Sequence, residues 1–432
     1  MSTFYKYLFS FFLGILFFYG CSNKDNNPVQ TVDQNQTNLS VKTSSSSDSS
    51  IIQSANVILF NADNGETVSR VFSDKEGVAS FSNIQGGNYY VKISAQGFNE
   101  IPEQNLTPIP FSVLKDQSKT VSYYLSPYPG NWGKIDGTLN PVMDGVLLSA
   151  YNLDDNTIYQ TYSGPDGYFV FCNLSYGNYK LNALKASYSS DSTYFANIST
   201  AASFKTIDMN IKQETGSTLK GFVTFLAVTN GIVDVSILDK QTMATVNGLI
   251  AVIDTNRNYQ IKNIPPGDYL AWASYKNDGY VMDPDWIFKN PGALEINFAS
   301  DSSASLNFSV TNAIQLISPT NNPDTILPVL VDSLYPTFSW NAYPQAKEYI
   351  IEVKDLNGNI IWGGFDENGI IRHAKIPRET TSVKFNFDGT AKSLLKHGEV
   401  YQWKVYADDD ALNNVQTLLS TSEDLMGLFK ID

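Results

Sequence analysis

The chain has 432 residues, too many for one hydrophobic core, and at roughly 100–200 residues per domain it divides into about two to four. It is 42% hydrophobic and 17% charged, with 25 Tyr and 25 Phe, a composition that suits the pleated, half-buried surface of β-strands. Its 29 basic residues against 43 acidic ones give a net charge of -14 with no Lys/Arg cluster; that surface repels a phosphate backbone, which excludes a nucleic-acid partner. At the N-terminus, Lys6 precedes an apolar stretch over residues 7–19. The stretch suits a signal-peptide core and falls short of the ~20 residues of a spanning helix, so residues 1–20 read as an export signal.

Gly20-Cys21, followed at once by polar Ser22-Asn23-Lys24-Asp25-Asn26-Asn27, resembles the lipobox and tether of bacterial lipoproteins. The resemblance implies a diacylglycerol on the Cys21 sulfur, cleavage before it, and a membrane as partner through that lipid. Two or three acyl chains anchor stably where one does not. Lys24-Asp25 resembles the short Lys-plus-acidic signal that sends some Gram-negative lipoproteins to the cell exterior, which implies a lipid-anchored, surface-exposed place on the outer membrane. Residues 21–38 are polar and bury too little to offset their ordering entropy, so they read as a flexible linker.

One pattern then occurs three times: Asp74, Gly77, Phe81, Asn83-Ile84, Gly87, Tyr89; then Asp166, Gly167, Phe171, Asn173-Leu174, Gly177, Tyr179; then Asp254, Ile261, Asn263-Ile264, Gly267, Tyr269. The step from Asn83 to Asn173 and from Asn173 to Asn263 is 90 residues each time. The Asp/Gly segment predicts a turn, the Phe or Ile an inward side chain, and Asn-apolar-x-x-Gly a second turn. Tyr89, Val91 and Ile93, and Tyr179, Leu181 and Ala183, alternate with the period of a strand buried on one face. Apolar runs at 57–60, 146–151 and 232–238 precede each copy. Short strands with frequent turns in a ninety-residue unit predict an all-β fold of tandem small sandwiches. The pattern resembles the carboxypeptidase regulatory-like domain, a transthyretin-like sandwich and accessory module that brings no catalytic residues. The expected units are 39–127, 128–214 and 215–312.

From Ala313 the pattern changes. Residues 314–319, 336–340 and 349–353 read as strands, and Asn357-Gly358 as a hairpin turn. Leu395-x-x-Gly398-x-x-Tyr401, ahead of Trp403, Val405 and Ala407, resembles the tyrosine corner of a fibronectin type III domain, with His397 at a position usually held by Pro. Residues 313–432 are the fourth expected sandwich, with Trp340 and Trp403 in its core.

Little in the chain suggests chemistry. The two histidines, His373 and His397, both lie in the last unit, and no nucleophile elbow, zinc-binding helix motif or phosphate loop is present. No catalytic residue, metal or cofactor is expected. Asp254-x-Asn256-x-Asn258 opens like a calcium loop but has Tyr259 where the loop needs Gly and Pro265 where it needs Glu, so it reads as a polar turn. Asp408-Asp409-Asp410 reads as a charged edge that blocks strand addition. Cys172 reads as a small packed thiol. The loop 275–286 alternates aromatics with acids and amides, which suits sugars, and Tyr275, Tyr280, Asp283, Asp285 and Trp286 are its candidate ligand-binding residues. The chain is thus expected to be a non-enzymatic surface lipoprotein, acting as a spacer, adhesive or binding protein toward a surface glycan or envelope protein; the alternative is a carbohydrate-binding or nutrient-uptake accessory lipoprotein.

Overall fold

The computed structural model describes residues 37–102, 108–130, 132–199, 203–226, 231–275, 279–284, 294–323, 326–365, 376–409 and 418–432. Cys21, Lys24, Asp25, Asp285, Trp286 and His373 lie outside them. The fold is all-β. The first sandwich contains β1 (Asn38–Ser45), β2 (Asn56–Asn61), β3 (Thr67–Phe72), β4 (Val78–Phe81), β5 (Gly87–Ser94), β6 (Phe111–Val113) and β7 (Ser118–Leu125). One sheet runs β4-β1-β7, with β1 antiparallel to β4 and parallel to β7; the other runs β3-β2-β5-β6. Tyr89, Val91 and Ile93 of β5 face inward against Leu39, Val41 and Leu59.

The second sandwich contains β8 (Gly133–Asn140), β9 (Leu147–Asn152), β10 (Ile158–Tyr162), β11 (Tyr168–Leu174), β12 (Gly177–Lys185), β13 (Tyr188–Ser190), β14 (Tyr194–Ile198), β15 (Phe204–Thr206) and β16 (Met209–Gln213). The third contains β17 (Ser217–Phe225), β18 (Val233–Asp239), β19 (Thr245–Val252), β20 (Asn258–Ile264), β21 (Gly267–Tyr275), β22 (Tyr280–Met282), β23 (Glu295–Phe298), β24 (Ser303–Ser305) and β25 (Phe308–Asn312). Their wiring repeats the first. The opening strand pairs antiparallel with the fourth (β8 with β11, β17 with β20) and parallel with the closing one (β16, β25).

The turn chemistry of the repeat has a physical basis. Asn83, Asn173 and Asn263 all adopt positive φ, at 57°, 56° and 63°, a conformation that Asn tolerates better than other side chains do. Tyr89, Tyr179 and Tyr269 each donate a hydroxyl hydrogen bond to the carbonyl four residues earlier, on Gln85, Ser175 and Pro265, at 2.6, 2.7 and 2.8 Å. At Gly267 a Cβ would stand 3.3 Å from the Tyr269 ring, tighter than an ordinary contact, whereas at Gly87 it would meet Tyr89 at an ordinary 3.5 Å. At the earlier turn Gly77 and Gly167 have φ of 73° and 74°, and Arg257 holds the same conformation in the third copy. The Asp of that turn needs one correction. Asp74 and Asp254 each accept two backbone N–H bonds within the turn, but Gly164 stands at the matching place in the second copy. Asp166 lies two residues further on and accepts from Tyr168.

The fourth group contains β26 (Leu316–Ser318), β27 (Val329–Val331), β28 (Thr337–Trp340), β29 (Glu348–Asp355), β30 (Ile360–Gly363), β31 (Ile376–Pro377), β32 (Ser382–Lys384), β33 (Val400–Asp408), β34 (Leu418–Thr421) and β35 (Leu428–Ile431). A sheet β26-β28-β32 faces a larger one built on β27-β35-β33-β29-β30 across Phe338, Trp340, Trp362 and Trp403. The Tyr401 hydroxyl accepts from the Lys396 N–H at 3.0 Å, around Gly398 at φ 80°. Asp408 is fully buried on β33, which pairs with β29 on one side and β34 on the other, so it does not guard an edge.

The sandwiches are not strung out. Ile58 and Phe60 of the first, with Leu147 and Tyr162 of the second, join the apolar core of the third. Phe60 meets Tyr162 edge-on at 5.3 Å, and the Tyr162 hydroxyl donates to the Thr245 carbonyl at 2.7 Å. Buried Asn247 touches all three: its amide oxygen accepts from the Thr67 N–H at 3.0 Å, and its amide nitrogen donates to the Gly145 carbonyl at 2.7 Å. Ile109 of the first sandwich packs on Ile326, Leu425 and Leu428 of the last.

Candidate binding cleft

The loop 275–286 is not laid out as a sugar platform in its described part. Tyr280 is 5% exposed on β22, which pairs with β25, and its ring meets Phe225 edge-on at 5.3 Å. The ring is therefore part of the core, because Tyr280-Val281-Met282 is an inward-packed strand. Tyr275 ends β21 opposite Val233, and Asp283 is buried beside β22. His397 sits in the turn before Tyr401, where its Nδ1 contacts the Asp432 carbonyl.

The structure instead forms two adjoining cavities, of about 400 and 450 Å³, where the first two sandwiches meet. Ser94, Glu100, Thr157 and Gln160 line both. The inner cavity lies against the third sandwich at Gln241 and Thr242. Its walls carry Asn56 and Thr161, only 2% and 4% exposed, together with Gln160. Asn56 Oδ1, Gln160 Oε1 and Thr161 Oγ1 are buried and have no hydrogen-bond partner among the described residues. A buried polar atom left unsatisfied costs about 1–3 kcal/mol, and these three are closed to solvent. Lys92 stands with its ammonium 5.6 Å from the centre of the Phe60 ring. Burial holds that ammonium below the usual lysine range and lifts the Glu100 carboxyl above the usual carboxylate range, and each charge partly offsets the other's shift. Glu100 nonetheless keeps much of its surface in solvent.

The outer cavity is aromatic on one side and acidic on the other. Tyr128 and Trp132 stand with ring centres 4.6 Å apart, and Tyr159 faces the same space from β10. Asp155 accepts from the Thr157 N–H at 2.8 Å, a bond that holds its carboxyl below the usual range. The joint between the sandwiches is braced at several points. The Tyr128 N–H donates to the Gly97 carbonyl at 2.8 Å and the Gln96 amide to the Trp132 carbonyl at 3.0 Å. Asn173, the left-handed Asn of the second repeat, donates to the carbonyls of Ala95 and Phe98 at 2.9 and 2.7 Å and accepts from the Gly97 N–H at 2.7 Å. The cleft is thus pre-formed, with the size and the mixture of aromatic and convergent polar groups that small-ligand sites have.

None of these cleft residues stood out in the sequence. One signal was present: Tyr128-Pro129-Gly130-Asn131-Trp132 places two large aromatics in a Pro/Gly joint that no strand pattern requires.

No family model matches the chain, and no curated protein matches it. Among solved structures it is similar to the TIE protein of Bacillus anthracis, at 15% identity and a TM-score of 0.19, over 64% of this chain and 51% of that one. It is also similar to GBS52, the minor pilin of Streptococcus agalactiae, at 13% identity and a TM-score of 0.20, over 43% of this chain and 99% of that one. A third is BcpA, the major pilin subunit of Bacillus cereus, at 12% identity and a TM-score of 0.18, over 64% of this chain and 100% of that one. The chain spans about half the length of the TIE protein.

Proposed function

We propose that this chain is a non-enzymatic lipoprotein of the outer membrane, held by lipid on Cys21, that displays a stiff four-sandwich body at the cell surface as a structural or adhesive platform. The observation that carries the reading is the cross-bracing of the body. Asn247 ties three sandwiches together, and the first sandwich touches each of the others. A body so interlocked presents its surfaces in a fixed arrangement, which suits a platform better than an extended spacer. The resemblance of the repeats to regulatory-like sandwiches, and of the last unit to a fibronectin type III domain, supports an accessory role toward an envelope protein or surface glycan. Lys24 and Asp25, just after the anchor, direct display on the outer face.

The test is fractionation of cells carrying the native chain or Cys21→Ala. The native chain is expected in the outer-membrane fraction and open to protease on intact cells, and Cys21→Ala in the soluble fraction. Retention of Cys21→Ala in the membrane would overturn lipid anchoring, and protease protection on intact cells would overturn surface display.

A further inference from the structure

We infer that the cleft between the first two sandwiches binds a neutral oligosaccharide, with sugar rings against Trp132, Tyr128 and Tyr159 and hydroxyls held by Glu100, Asp155 and Lys92. The lining identifies the ligand class. Glu100 and Asp155 bring carboxylate acceptors, the Lys92 ammonium stands as a donor beside them, and Tyr128, Trp132 and Tyr159 bring aromatic faces. A sugar offers hydroxyls that donate to the carboxylates and accept from the ammonium, and C–H faces that the rings cover. A bare cation would suit oxygen ligands, but Lys92 opposes it. An anionic ligand meets two carboxylates against one ammonium, on a chain of net charge -14.

Shape agrees with this chemistry. Lys92 lines the inner cavity and Tyr128, Trp132 and Tyr159 the outer, and the four residues shared by both, Glu100 among them, make the space continuous. Ring faces take up the C–H surfaces of sugars while polar groups fix orientation, and tyrosine and tryptophan do both. Because Asn173 and Gln96 hold the joint, the two halves of the site are set before a ligand arrives.

The experiment titrates the full chain, in a polyoxyethylene detergent because glycosidic detergents would compete, with cellohexaose, maltohexaose, mannohexaose and hexa-N-acetylchitohexaose by calorimetry. At least one is expected to bind, and Trp132→Ala and Glu100→Gln are each expected to weaken it at least tenfold. Trp272→Ala, on β21 away from the cleft, is expected to leave affinity within twofold. Glu100→Gln is isosteric at a solvent-facing position, so its effect does not depend on whether Trp132→Ala folds. Absence of binding to all four sugars, or binding that survives both cleft variants, would overturn the assignment. Surface display stands or falls separately on the fractionation of Cys21→Ala.

Discussion

The Arg70 guanidinium of the first sandwich meets the Asp166 carboxylate of the second at 2.9 Å, with the Arg70 side chain 4% exposed and that of Asp166 67% exposed. Its plane lies over Phe72 at 4.6 Å and Tyr168 at 5.3 Å, so one side chain from each sandwich encloses it. A Cβ on Gly164 would stand 2.5 Å from Arg70 Nε, which explains why Gly holds the place that Asp74 and Asp254 hold in the other copies. In the second copy a neighbour's side chain stands where the other two keep a turn Asp.

This arrangement predicts coupling. Arg70→Ala should cost about 1–3 kcal/mol: little from an ion pair whose Asp166 end is exposed, more from the lost cation–π and stem packing. Gly164→Ala should be clearly destabilising in the native background and close to neutral in Arg70→Ala, where the clash is gone. A double-mutant cycle read by urea unfolding should therefore give an interaction energy of at least about 1 kcal/mol. Strict additivity would mean that Arg70 is not what fills the space beside Gly164.

Asn83 and Asn173 occupy the same left-handed place in successive copies but carry different loads. Asn83→Gly keeps the backbone conformation and should change stability by less than about 0.5 kcal/mol. Asn173→Gly also keeps it, yet loses three hydrogen bonds to the 95–98 loop, and at about 0.5–1.5 kcal/mol each should cost about 2–3 kcal/mol. Thermal scanning of the two variants side by side checks this. Equal shifts would show that Asn173 serves its own turn and does not brace the joint.

The contrast between those two residues marks what the sequence made legible. The Asn-apolar-x-x-Gly-x-Tyr pattern is local: its Asn turns the chain and its Tyr closes a bond four residues back, so three copies were enough to specify small sandwiches. The packing of those sandwiches on one another was hidden, because Arg70, Asn173 and Asn247 act on residues of other copies and share no spacing. The cleft was hidden for the same reason, since Asn56, Glu100, Trp132 and Gln160 converge only after that packing. Within the loop 275–286, Tyr280-Val281-Met282 is a short buried strand, which the acids and amides around it obscured in the sequence.

Cys172 provides a test of how closed the cleft wall is. It lies half-buried on β11 beside the outer cavity, and burial pushes its thiol up to about 11, against smaller opposite pulls from the Ser94 hydroxyl and the Lys134 charge. Reaction with an alkylating agent goes through the thiolate, which at pH 8 would be about one part in a thousand here and roughly a quarter in an unfolded chain with an ordinary thiol near 8.5. In the Cys21→Ala chain, where Cys172 is the one remaining cysteine of two, iodoacetamide labelling at pH 8 should be about two hundred times slower in the native state than in guanidinium. The native rate should also climb about tenfold per pH unit until the pH nears the thiol's own value. A native rate that levels off below pH 9 would mean that the wall opens to water at Cys172, and that the cleft is wider in solution than its two cavities suggest.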